Sequence, residues 1–145
     1  MAPSDRLKPV RRIAENRERD AAKRLGDAQR ILQDQESKLE QLRLFQKEYQ
    51  QRFEAAARSG MSGTKLQDYQ AFMGKLQQAI GQQESVVEAS RQHRGLQKAE
   101  WQEKFTRTQA ISKVIERHRK EEIQNQERKD QKDSDERALQ RGRRK

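Results

Sequence analysis

His93 and His118 are the only histidines, and they lie 25 residues apart on one predicted helix. Metal ligation or general acid–base work needs several such groups at one point. The chain has no cysteine, so neither histidine can complete a metal set, and no disulfide framework is available. Solvated surface positions are the simpler reading of both. Gly60 and Gly63 sit in a turn signal, and Gly74, Gly81 and Gly95 are scattered through a helical stretch, so no glycine-rich phosphate loop is present. With no catalytic constellation and no cofactor or metal motif, the chain reads as a non-enzyme. Its usable chemistry is that of contact: charge, and apolar side chains set beside a packing line.

The charge is unevenly placed. The net charge is +10, from 33 Lys/Arg and 23 Asp/Glu in 145 residues. Residues 6–30 carry nine basic and four acidic groups, residues 58–90 carry three of each, and residues 141–145 carry four basic groups and no acid. Such a field suits an acidic partner or phosphate. Nucleic acid is not expected, because acids dilute the basic surface and no known nucleic-acid module appears. A nucleic-acid-associated coiled coil, or a structural coiled coil that oligomerises, is the alternative reading.

These side chains depend on two long helices. Leu39, Leu42, Tyr49, Phe53 and Ala56 recur at steps of three or four before a break; Leu66, Tyr69, Met73, Leu76, Ile80 and Val87 do so after it. The spacing predicts helix 1 over about 9–57, a turn at 58–64 and helix 2 over about 65–138, with disordered ends at 1–8 and 139–145, in one coiled-coil domain. Gly60 and Gly63 end the first helix in this reading, and Thr64 with Gln67 forms a capping box for the second. Pro9 belongs in the first turn of helix 1. Helix 1 then measures on the order of 75 Å at about 1.5 Å per residue. Folding at the break sets Leu42 against Ile80, Tyr49 against Met73, Phe53 against Tyr69 and Ala21 against Trp101. Below Leu25 the stripe of helix 1 is poor, since Val10 and Ile13 fall off it, and past about Glu116 helix 2 has no partner. The expected fold is all-α: a long two-helix antiparallel coiled-coil hairpin with a protruding C-terminal helical extension.

Hydrophobic residues are 30% and charged residues 39%, enough for a two-helix seam but not for a thick core. No apolar run reaches the roughly 20 residues of a membrane span, and no secretory signal is visible, so a cytoplasmic protein without membrane insertion is expected. In heptad terms Phe45, Phe72, Ala79 and Val86 all fall at position g, where a two-stranded coil normally carries charge. In an antiparallel pair the two g edges share a side. The alternatives are a binding edge or a widened seam.

The chain resembles the FliJ family, a soluble component of the bacterial flagellar type III export apparatus. The matching residues are Leu42-x-x-Phe45-Gln46-x-Glu48-Tyr49 before the turn and Asp68-Tyr69-Gln70-x-Phe72-x-x-x-Leu76-x-x-Ala79-Ile80 after it. Trp101-x-Glu103-Lys104 and the charged tail from Glu127 to Ala138 also fit. The resemblance implies a stalk-like antiparallel coiled coil whose terminal end enters the hexameric export ATPase. It also implies contact with the cytoplasmic domain of the export gate membrane protein and with export chaperones, at the inner-membrane flagellar basal body. The gate surface would comprise Leu42, Phe45, Tyr49, Phe72, Leu76 and Ala79; Lys38 and Gln83, two further positions of that surface, are changed or conservatively replaced here and are left out. The basic end supplies Arg11, Arg12, Arg17, Arg119, Lys120 and Arg128 as candidate ATPase-ring contacts.

Overall fold

The computed structural model describes residues 1–143. They form two α-helices, α1 (Pro3–Arg58, 56 residues) and α2 (Gly63–Arg143, 81 residues), and no strand. The helices pack antiparallel. Cross-helix bonds join Arg24 to Glu100, Gln35 to Gln83, Arg43 to Glu84 and Gln46 to Gln77, one number rising as the other falls. The contacts divide the chain into a unit of Ala22–Glu100 and a unit of Met1–Ala21 with the chain from Trp101 onward.

The turn lies in the first of these units. Among the described residues Gly60 alone takes the left-handed conformation, at φ 92°, and its N–H donates to the Ala57 carbonyl at 3.3 Å. Gly63 is already helical. The N-cap of α2 is Ser62 rather than Thr64: its hydroxyl accepts from the Lys65 N–H at 3.3 Å and its carbonyl from the Leu66 N–H at 3.0 Å. Thr64 lies inside the first turn, two residues too late to cap it.

The core of this unit is the expected seam. Leu32, Leu39, Leu76, Ile80 and Val87 are buried together, with Leu42 packed against them. Two glutamine pairs accompany it, a half-buried one of Gln35 and Gln83 and a more exposed one of Gln46 and Gln77. The Gln83 side-chain amide donates to the Gln35 backbone carbonyl at 3.0 Å and to its Oε1 at 2.8 Å, and Gln46 Nε2 donates to Gln77 Oε1 at 2.7 Å. Polar side chains on a seam fix register, because a shifted pairing leaves them without partners.

In the other unit the helix boundaries differ from expectation. α1 begins at Pro3, not Pro9. Pro3 takes the first helical position, where a missing N–H costs nothing, and the Ala2 carbonyl accepts from the Asp5 and Arg6 N–H groups. The next N–H, that of Ser4, is satisfied from across the structure: it donates to Glu122 Oε1 at 3.0 Å while the Ser4 hydroxyl donates to Glu122 Oε2 at 2.7 Å. Pro9 therefore sits inside the helix, leaving the Asp5 carbonyl without its usual donor. The same bonds give α2 a partner as far as Glu122, six residues beyond the expected limit. From Ile123 to Arg143 every side chain is exposed, and helix continues to Arg143 where a disordered end was expected; Arg144 and Lys145 lie outside the described residues.

The α1 stripe in this unit is regular after all, through Ser4, Leu7, Arg11, Ala14, Glu18 and Ala21, each buried or half-buried. It looks poor in sequence because its residues are small or polar. Opposite it α2 buries Thr108 and Ile115, and Trp101 stacks on Phe105 with ring centroids 5.4 Å apart.

Candidate functional site

In the unit of Ala22–Glu100 the aromatic side chains of the seam, Tyr49, Phe53 and Tyr69, and the two rings beside it, Phe45 and Phe72, form a continuous run. Phe45 meets Phe72 edge-on at 6.1 Å, Phe72 lies 4.4 Å from Tyr49, Tyr49 lies 5.1 Å from Tyr69, and Tyr69 lies 5.4 Å from Phe53. These separations are typical of favourable aromatic pairs. The residues come from both helices, so the antiparallel pairing assembles the cluster. Phe45 is 43% exposed and Phe72 37%. Val86 is also exposed and Ala79 half-buried.

The six residues grouped by sequence for the gate surface therefore divide. Phe45 and Phe72 present faces to solvent, Leu42, Tyr49 and Ala79 are half-buried, and Leu76 is a core residue at 6% exposure. Leu76 packs the seam on which the rings stand. Two residues set aside in sequence lie beside Phe45. Lys38 and Gln83 line a shallow depression with Gln41, Leu42 and Phe45. Lys38 is the residue seven positions before Phe45, the signal that places it on that edge. Gln83 is held through its bonds to Gln35, so its position is set by the seam.

The basic candidates lie in the other unit. Arg11 is half-buried on the seam and pairs with Glu15 at 3.6 Å; Lys120 pairs with Glu116 at 3.6 Å. Arg12, Arg17, Arg119 and Arg128 are exposed and have no ion pair among the described residues. Arg128 stands on the exposed extension, whereas Arg119 and Lys120 precede Glu122 in the paired part of α2. His118 lies 3.6 Å from Glu121, an intrahelical neighbour. Glu122 has its carboxyl held below the usual range, chiefly by the Ser4 N–H and then the Ser4 hydroxyl, both of which favour the charged form.

Among the described residues no group of three His, Cys, Asp or Glu side chains could hold a metal ion. No helix among them is long and apolar enough to cross a membrane.

Two long antiparallel helices with an aromatic run that is partly exposed define a coiled-coil hairpin. The family model described as flagellar FliJ protein matches residues 3–145. The flagellar FliJ proteins of Escherichia coli (strain K12) and Salmonella typhi are each 30% identical over 136 residues, covering 94% of this chain and 92% of theirs. The chain belongs to the FliJ family of flagellar proteins.

Proposed function

We propose that the chain is a non-enzymatic coupling component of the flagellar protein export apparatus. The upper edge, built on Phe45 and Phe72, meets the cytoplasmic domain of the export gate. The basic unit that holds both termini engages the hexameric export ATPase, and export chaperones are further partners. It works in the cytoplasm, peripheral to the inner-membrane basal body. Family membership supports a place in the flagellar export machinery. The observation that carries the gate contact is the pair of half-exposed rings at a heptad position that usually bears charge. Central aromatic side chains of this kind supply most of the binding energy of an interface.

The test is the double variant Phe45→Ala with Phe72→Ala. It should keep its helical circular dichroism and its stimulation of the export ATPase while losing pull-down by the gate's cytoplasmic domain and reducing motility. Normal gate binding by the folded variant removes the site. The ATPase contact is tested by deleting residues 123–145, which spares the Ser4–Glu122 bonds. ATP hydrolysis by the ATPase should lose part of its stimulation, and full stimulation by the truncated chain would remove the extension, with Arg128, from that contact.

A further inference from the structure

A second surface lies in the unit of Met1–Ala21 with the chain from Trp101 onward, the unit proposed to engage the ATPase, and of the residues named for that contact only Arg17 lines it. Val10, Ile13, Ala14 and Arg17 of α1 and Lys104, Arg107 and Ile111 of α2 line one groove. Val10, Ile13 and Arg17 stand at i, i+3 and i+7, as do Lys104, Arg107 and Ile111. Two antiparallel rows, each about 10 Å long at 1.5 Å per residue, thus face a common trough. The antiparallel pairing puts Val10 and Ile13 with Ile111 at one end, and Arg17 with Lys104 at the other, with Arg107 between. Val10 is 46% exposed and Ile13 54%. Arg17, Lys104 and Arg107 have no ion pair among the described residues.

We propose that this groove docks an acidic amphipathic helix of a partner protein, with apolar side chains over Val10, Ile13 and Ile111 and carboxylates one to two turns away on Arg17, Lys104 and Arg107. Paired rows at i, i+3 and i+7 are the complement of a helix laid into a groove. Charge selects the sign of the occupant. The unit carries 20 Lys/Arg against 13 Asp/Glu, a surplus of seven, and the whole chain carries +10, so a second copy of this chain brings the wrong sign. A lipid surface meets a convex face better than a trough between two helices. Nucleic acid would use the cations and leave Val10 and Ile13 without a role.

The probe is a fluorescein-labelled 18-residue peptide with leucines at i, i+3 and i+7 and glutamates on the flanking positions. Its anisotropy is followed on titration with the full chain, and no ATPase or gate protein enters the measurement. Binding should weaken with added salt and fall at least tenfold for Ile13→Ser with Arg107→Gln, whose side chains are exposed and whose melting curve should be unchanged. Val10→Ser is the second variant should that one melt early, and it too should weaken binding. Replacing the peptide's leucines by serine, or its glutamates by glutamine, should each cost at least tenfold. Equal binding by the serine peptide, or equal sensitivity of oligo-dT or phosphatidylglycerol vesicles to Ile13→Ser, overturns the proposal. So does peptide binding that ignores both protein variants.

Discussion

The two units run the same three-and-four spacing on both helices and fill it with different chemistry. Between Ala22 and Glu100 the seam is large and apolar, with Leu32, Leu39, Leu76, Ile80 and Val87 buried together. In the unit holding the N-terminus, α1 contributes Ser4, Ala14 and Ala21 as its buried residues, and α2 contributes Thr108 and Ile115. The first unit is held by apolar area. The second relies on small side chains that let helices approach, on a few large ones, and on bonds at its end. Where the seam is rich, apolar residues spill onto an edge and form the aromatic run. Where it is lean, charge occupies the surface, and the apolar remainder, Val10 and Ile13, lies in a groove among cations.

The largest test of this contrast is a paired truncation. Ile80→Ala should cost about 3 kcal/mol in chemical denaturation, since deleting a buried isoleucine loses transfer energy and leaves a cavity. Ile115→Ala, equally buried but in the leaner seam, should cost about 2 kcal/mol. Equal or reversed costs would break the distinction between the units. Next comes the aromatic edge: Phe45→Ala with Phe72→Ala should cost the fold less than Ile80→Ala, about 1–2 kcal/mol, because each ring keeps over a third of its surface exposed. A cost above that of Ile80→Ala would make these rings part of the seam.

Gly26→Ala should stabilise by about 0.5–1 kcal/mol, since a helical glycine is less favourable than alanine and nothing lies within 4 Å of the added methyl. The smallest effect is local. Ser4→Ala should speed amide exchange in the first turns of α1 without moving the global melt. Because Ser4 holds the Glu122 carboxyl below its ordinary value of 4.5, the contribution of this contact is complete above that pH and is lost as pH falls through the lower folded value. Exchange at these amides, compared with the rest of α1, should therefore accelerate in acid for the natural chain and show a smaller step for Ser4→Ala, which keeps the N–H bond to Glu122 and loses only the hydroxyl one.

The stripe from Leu25 to Val87 was legible because its residues are apolar at helical steps, and the sharp turn because Gly60 and its neighbours interrupt both stripes. The lower seam was not, since periodicity there is one of size and burial rather than hydropathy: Arg11 and Glu18 occupy packing positions that polarity disguises. The start of α1 was missed because two prolines compete for one role, and Glu122, 118 residues beyond Ser4, decides between them. Thr64 concealed the cap because Ser62 offers the same chemistry two residues earlier. For the aromatic edge, heptad position identified Phe45 and Phe72, while the burial of Leu76 and the placement of Lys38 and Gln83 needed the three-dimensional pairing.

The glutamine pairs have a mechanical consequence. Sliding α2 along α1 by one heptad would strip the half-buried Gln83 amide from both oxygens of Gln35 and Gln46 from Gln77. Apolar layers alone are tolerant of slippage; these pairs act as teeth. Under axial load the stretch from Gln35 to Gln83 behaves as one strut rather than two rails, so a push delivered to one helix is carried by both.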